Sequence, residues 1–173
     1  FGQADGWVVE GDNVLAVQVH NDTISDSTLH CDAGLRISGG SVLLGMAETW
    51  RYHVGVSEPS GGVVDPEFLG APIPPVNWGQ VEFDDSGWLV GPGGIGFGDG
   101  DDATDVEASV RYSAMSVYMR QAFVASIDAA ASTNLLQLEV DYDDGFVAYL
   151  NGYEVARRGL GVSGDFVPHD AAA

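Results

Sequence analysis

Hydrophobic and polar residues alternate along several short stretches of this chain, with the period of a β-strand. In residues 29–37 the residues at odd positions are apolar, whereas most of those between them are polar. A period of two places the apolar side chains on one face, which predicts a half-buried strand with Cys31 in the core. Residues 135–142 alternate in the same way, residues 14–20 form an apolar run of strand length, and residues 116–124 are a further strand candidate.

Turn residues separate these stretches. The segments FVAYL and YEVAR flank Asn151 and Gly152, a pair that favours a type I′ turn because both central residues of that turn need a positive φ. Residues 57–80 are rich in proline and glycine and indicate a long loop, and residues 91–102 hold too many turn residues for a helix interior. The only helix signal is a weak one near residues 103–110. The pattern therefore predicts an all-β chain.

The charge of the chain narrows the range of partners. Among 173 residues there are 26 acidic side chains and 6 basic ones, all of them arginine, so the formal net charge is −20. Nucleic acid and anionic membrane surfaces both require neutralisation of phosphate, and we expect neither as a partner. No apolar run approaches the length that spans a bilayer, which argues against membrane insertion. With a single cysteine the chain forms no internal disulfide.

The motifs of common catalytic sites are missing from the sequence. Its four histidines are scattered without the spacing of a zinc enzyme, and no GxSxG nucleophile motif occurs. The glycine-rich GIGFGDG stretch has no lysine after it and no strand–loop–helix context. Adjacent aspartates such as Asp84 and Asp85, or Asp143 and Asp144, are more typical of turns than of a glycosidase pair. We therefore expect no enzymatic activity.

A metal site is a better use for the acidic residues of one loop. Asp99, Asp101, Asp102 and Asp105 crowd a single turn-rich segment. Hard oxygen ligands on a flexible loop suit Ca²⁺, so these four carboxylates predict a structural calcium site. Their spacing departs from that of an EF-hand, which has glycine at the sixth position and glutamate at the twelfth. The alternative is that the same residues only form turns and keep the surface solvated.

The aromatic residues can build either a core or a surface that binds sugar, because aromatic faces pack against the apolar faces of pyranose rings. For most of them we expect packing in the core or at strand ends. Trp78 lies in the proline-rich segment and is the one that we expect near the surface. It is therefore the candidate ligand-binding residue for a glycan.

Five segments together resemble one known module. They are GDNVLAVQVHN (11–21), WRYHVGVSEPS (50–60), FDDSGWLVGPGGIGFGDGDDAT (83–104), SVYMRQAFV (116–124) and YDDGFVAYLNGYEVARR (142–158). On these segments the chain is similar to the galactose-binding-like jelly-roll repeat of large secreted bacterial proteins, which accompanies glycan-degrading or surface-anchored domains. The resemblance implies an antiparallel two-sheet sandwich of the jelly-roll type, an extracellular or cell-surface location and a non-catalytic accessory role. It carries over no site residue, because the matching segments look structural.

The order of the segments departs from that module. In the family, the NVLAVQVHN strand and its successor close the domain, whereas here they come first. The chain therefore divides into residues 1–40, with the two C-terminal strands of a repeat, and residues 41–173, with its N-terminal and central part. A jelly roll that lacks two strands exposes unpaired backbone and an open core. Residues 7–37 must therefore fold back onto their own chain or complete a neighbouring copy.

The two placements of these strands lead to two functions. Completion of a neighbour is β-strand complementation, and it builds a head-to-tail array from copies of the chain. We expect this function first: a non-catalytic structural or assembly module, such as a subunit of a filament, sheath or tandem array. The alternative is a carbohydrate-binding accessory module with a glycan as its ligand.

Overall fold

Alternating apolar positions produce strands along most of the chain. The computed structural model describes residues 6–60, 77–132 and 134–173. The strands in these residues are β1 (Gly11–His20), β2 (Leu29–Ile37), β3 (Val42–Leu44), β4 (Thr49–Val54), β5 (Leu89–Pro92), β6 (Ile95–Phe97), β7 (Thr104–Asp105), β8 (Ser116–Ala125), β9 (Leu136–Tyr142), β10 (Gly145–Leu150) and β11 (Tyr153–Arg158). The described residues also contain two short helices, α1 (Glu107–Val110) and α2 (Ile127–Ala130), and a 3₁₀ turn at Asn77–Gly79. No helix in this part of the chain is long and apolar enough to cross a membrane.

The strands form two sheets that pack against each other. The first sheet has six strands in the order β11-β10-β1-β8-β4-β5, and all of its pairs are antiparallel. The second sheet is centred on β2, which pairs with β9 along one edge and with β3 and β6 along the other. The short β7 lies parallel to β6. The predicted all-β, antiparallel two-sheet sandwich is confirmed.

Several local predictions are confirmed at the residues that carried them. The strand predicted over residues 29–37 is β2, and Cys31 is fully buried. The β10–β11 hairpin turns at Asn151 and Gly152, whose φ angles of 52° and 87° have the positive sign that a type I′ turn needs. The weak helix signal near residues 103–110 corresponds to α1. Most of the loop predicted over residues 57–80 lies outside the described residues.

The main core lies between the two sheets. Its largest fully buried side chains come from both sheets, with Trp50 and Met119 on one side and Leu35 and Phe97 on the other. Complete burial of an apolar side chain of this kind contributes about 1.5–3 kcal/mol. This core therefore provides most of the free energy that holds the sheets together.

A second apolar layer covers the outer face of the six-stranded sheet. Its buried members are Ala16, Trp78, Tyr118, Val147, Tyr149, Leu160 and Val167. The chain after β11 lies across this face, and the Ala173 N–H donates a 3.0 Å hydrogen bond to the Asn21 carbonyl at the end of β1. β1 is consequently covered on both faces, and eight of its residues are buried.

Candidate functional site

β1 and β2 are central strands, so the first part of the chain completes both sheets. In the first sheet, residues 15–20 pair with β10 and residues 11–20 pair with β8 on the other side. In the second sheet, residues 31–37 pair with β9. In this structure residues 7–37 therefore complete the sandwich of their own chain. Completion of a neighbouring copy by the same strands involves a second chain and stays a prediction.

The connection from β2 to β3 is a tight, exposed turn. The Ile37 N–H donates to the Ser41 carbonyl at 3.0 Å, and the Gly40 N–H donates to the Ile37 carbonyl at 2.9 Å. Gly39 has a φ of 73°, a left-handed conformation that glycine adopts without steric cost. Because residues 39–41 are exposed, few packing contacts fix this turn. We refer to residues 38–41 as the hinge.

The four aspartates predicted to bind calcium do not converge on one point. Asp101 and Asp102 lie beside His30, whereas the Asp105 Oδ1 accepts a 2.8 Å hydrogen bond from the Glu107 N–H and leads the chain into α1. Asp99 is exposed in the turn after β6. The ligand atoms of His30, Asp101 and Asp102 lie within 4.8 Å of one another, so this group can hold a metal ion.

His30 and Asp102 form a largely enclosed pair within this group. The His30 Nδ1 lies 2.9 Å from the Asp102 Oδ1, and the two side chains are 15% and 4% exposed. Burial lowers the pKa of His30, but the hydrogen bond and charge of Asp102 outweigh it and raise the pKa above its ordinary value. Burial raises the pKa of Asp102, and His30 offsets that effect only in part. Both shifts favour retention of a proton at the pair.

A second group that can hold an ion consists of Asp22, Asp26 and Asp144. The Asp22 N–H donates to the Asp144 Oδ2 at 3.1 Å, and the hydrogen bond between the carboxyl groups of Asp22 and Asp26 raises the pKa of Asp22. Asp22 and Asp144 are exposed, as ordinary solvated carboxylates are. The sequence does not predict this group, because no spacing rule links the β1–β2 connection to the turn before β10.

Polar side chains attach the end of the chain to the six-stranded sheet. The Tyr118 hydroxyl donates to the Glu58 Oε2 at 3.1 Å, and the His169 N–H donates to the Glu58 Oε1 at 2.6 Å. The Gln18 amide donates to the Tyr118 hydroxyl oxygen at 3.0 Å. Nearby, burial lowers the pKa of His20 to about 4, so this imidazole is uncharged at neutral pH. The group therefore serves as the polar part of the second layer.

The FDDSGW segment forms an ion pair with a buried arginine of a neighbouring strand. Arg120 of β8 is 3% exposed, and its Nε donates to the Asp85 Oδ2 at 2.8 Å. Its Nη1 donates to the backbone carbonyls of Trp78 and Gln80. The guanidinium thus anchors the loop before β5 to the sheet. Asp85 of this segment is therefore part of the contact that fixes the loop.

The expected surface position of Trp78 is wrong. The residue is 2% exposed, and its ring meets Tyr118 and Tyr149 edge-on at centroid distances of 4.9 and 5.4 Å. The chain after β11 folds over this face and buries the indole in the second layer, so it offers no open face to a sugar. An exposed aromatic ring lies elsewhere, at Tyr153, beside a depression of about 550 Å³ that Asp12 and other polar residues line.

Comparisons with protein-family models, curated proteins and solved structures find nothing that matches the chain. The similarity to galactose-binding-like modules consequently stays a prediction.

Proposed function

We propose that the chain is a non-catalytic structural module that assembles with other copies of itself by β-strand complementation, with residues 7–37 as the exchanged segment. The observation that carries the proposal is that one short segment supplies a central strand to each sheet. The rest of the chain forms a binding slot for this segment. In the slot, β1 makes backbone hydrogen bonds along both of its edges and packs against the core. An extracellular or cell-surface array is the setting that the family resemblance suggests.

Exchange of this segment would preserve nearly all contacts. β1 of one copy would meet β8 and β10 of the next in the present register, and only the hinge would change conformation. The closed and exchanged forms therefore differ in free energy mainly through the hinge and the entropy of association. Tethering copies in tandem raises their effective concentration and favours exchange.

The slot also contains one side chain that recognises the incoming strand. Asn151, in the hairpin turn of the receiving part, accepts a 2.9 Å hydrogen bond from the Val14 N–H through its Oδ1. Its Nδ2 donates to the Oδ1 of the fully buried Asn13 at 3.0 Å. Asn13 in turn accepts the Val9 N–H at 2.8 Å. These directional bonds fix the register of β1, which is what repeated addition of identical units requires.

A disulfide across the slot tests the proposal. Asp12 and Val124 lie opposite each other in the β1–β8 pair, and both are exposed. In the double variant Asp12→Cys/Val124→Cys, oxidation of concentrated protein is expected to give a ladder of covalent oligomers on a non-reducing gel. The ladder forms because the two cysteines that meet belong to different copies.

The control pair lies wholly within the receiving part of the chain. Arg51 and Val90 are opposite in the β4–β5 pair, so Arg51→Cys/Val90→Cys should give only cross-linked monomer. If the Asp12/Val124 pair also gives only cross-linked monomer at every concentration, the assembly proposal is overturned. Glycan binding then becomes the leading function, with retention on a polysaccharide affinity gel as its test.

Gly39→Ala is expected to shift the equilibrium towards the exchanged form. The closed hinge needs a φ of 73° at this residue, and that conformation costs an alanine about 1–2 kcal/mol. An opened hinge does not need a positive φ there, so it avoids this cost. The fraction of oligomer in size-exclusion chromatography should therefore rise severalfold at constant protein concentration. Gly40→Ala is the matched control, because a β-carbon there meets only ordinary contacts at 3.6–3.8 Å. An equal effect of both substitutions would count against the hinge.

A divalent ion bound by the connection between β6 and β7 is a further part of the proposal. Calcium was predicted at Asp99, Asp101, Asp102 and Asp105, and only the middle two of these aspartates lie in a group that can hold an ion. The third donor of that group is a histidine nitrogen. Calcium stays the proposal that the carboxylates of Asp101 and Asp102 alone would support, whereas the His30 nitrogen favours a different divalent ion.

A further inference from the structure

A histidine and two aspartates meet where the exchanged segment touches the receiving part of the chain. His30 is the second residue of β2, and Asp101 and Asp102 lie in the connection between β6 and β7. His30 pairs with Gly96 across the β2–β6 ladder, and a β-carbon on Gly96 would collide with the Asp102 Oδ1. The missing side chain at Gly96 therefore provides the space in which the Asp102 carboxylate reaches the imidazole.

One oxygen of this carboxylate is enclosed without a partner. The Asp102 Oδ1 contacts the His30 Nδ1, but the Oδ2 has no hydrogen-bond donor among the described residues, although the side chain is only 4% exposed. An unsatisfied buried polar atom of this kind destabilises the fold, and more so when it carries charge. Because both oxygens belong to one carboxylate, the unpartnered atom lies beside the other donors of the group. A cation at that point would satisfy it.

The donor atoms are close to the spacing that an ion needs. The His30 Nδ1 lies 2.9 Å from the Asp102 Oδ1 and 3.9 Å from the Asp101 Oδ1. Tetrahedral coordination with bonds of about 2.0–2.2 Å holds its ligand atoms roughly 3.3–3.6 Å apart. Small movements suffice, since Asp101 is 68% exposed and free to turn towards the pair.

We infer that His30, Asp101 and Asp102 form a binding site for a divalent ion of the Zn²⁺ class. An imidazole nitrogen suits zinc and related transition metals, whereas Ca²⁺ takes oxygen ligands. Two carboxylates balance the charge of the ion when the imidazole is neutral. Three protein ligands leave a further coordination position for water.

The ion would connect the two parts of the chain that exchange separates, and this consequence alone rests on the proposed function. In the closed chain it would link β2 to the β6–β7 connection of the same molecule. In an assembly it would link the donor strand of one copy to the loop of the next. Metal binding would then slow the dissociation of the exchanged segment in either form.

The test is a titration of the full chain with Zn²⁺ and, separately, with Ca²⁺ after treatment with a chelator. By isothermal titration calorimetry we expect each chain to bind one Zn²⁺, and this binding should require His30. Its affinity should fall at least about tenfold in His30→Gln and in Asp101→Asn, since loss of even an outer partner of a metal site has that effect. Asp101 is exposed, so its variant keeps the test valid if His30→Gln does not fold.

The controls separate this site from the rest of the acidic surface. Asp105→Asn changes a carboxylate of the same loop that lies outside the group and accepts the Glu107 N–H, and it should leave the Zn²⁺ affinity unchanged. With Co²⁺ as a probe, the visible absorption of the bound ion should be lost in His30→Gln. Unchanged Zn²⁺ affinity in both site variants, binding of Ca²⁺ alone, or no binding overturns the inference. The titration is done on dilute monomer, so its outcome is independent of the disulfide test of assembly.

Discussion

A chain truncated to residues 41–173 is expected to show no cooperative unfolding transition. The truncation removes β1 from between β8 and β10 and removes β2 from the second sheet. It opens the main core and leaves strand edges unpaired in both sheets, and these losses exceed the 5–15 kcal/mol that stabilises a typical domain. Circular dichroism during heating is the measurement.

A separate peptide of residues 1–40 is expected to restore the cooperative transition. The hinge is the covalent connection between the segment and residues 41–173, and all other interactions between them are non-covalent. The separate peptide can therefore occupy the same slot. A Val17→Asp peptide should fail, because Val17 is fully buried and an unpaired charge has no partner there. An Asp12→Asn peptide, changed at an exposed position, is the control. Cooperative folding of residues 41–173 alone would contradict the central role of the segment.

The second large effect concerns a buried charge. Asp85→Asn is expected to lower the free energy of unfolding by about 3 kcal/mol. The guanidinium of Arg120 is 3% exposed and keeps its carbonyl partners, but the substitution removes the carboxylate that balances its charge. Asp85 also faces the Arg51 Nε at 3.3 Å, so two arginines lose the same counter-ion. Urea denaturation followed by tryptophan fluorescence measures the loss.

Two further variants isolate the ion pair from the turn around it. Asp84→Asn should leave the urea midpoint unchanged, because its Oδ1 accepts the Ser86 N–H at 3.0 Å and an amide oxygen can do the same. Asp85→Asn combined with Arg120→Met should recover part of the lost stability, since it leaves no buried unbalanced charge. Arg51, the other partner of Asp85, is 43% exposed and stays solvated. A loss below about 1 kcal/mol in Asp85→Asn alone would show that the pair is not what anchors the loop.

The elements that the sequence predicted well are those set by local chemistry. The period of two in residues 29–37 is enough to define β2 and to bury Cys31, because a strand with one face on the core must alternate. The turn at Asn151 follows from the positive φ that its type requires. Neither inference needs knowledge of what packs on the other side.

The elements that the sequence could not predict depend on contacts between distant segments. Trp78 is buried because the chain after β11 returns over the first sheet, and no periodic pattern indicates such a return. His30 contacts Asp102 across 72 positions of the chain. The structure therefore has a group with nitrogen and oxygen donors where the sequence predicted a site of four aspartates. The acidic spacing identified part of this group but omitted the residue that changes its metal preference.

The location of β1 also determines how the sandwich would respond to a force applied along this strand. Gly11 is at one end of this strand, and Ala173 is held at the other end by its hydrogen bond to Asn21. β11, which precedes the final segment, likewise ends level with the His20 end of β1, because Arg158 pairs with Phe146 and Phe146 with Val19. Tension applied between Gly11 and Ala173 would therefore act along the strands. The hydrogen bonds on both edges of β1 must then break together in shear, whereas peeling would open them one at a time.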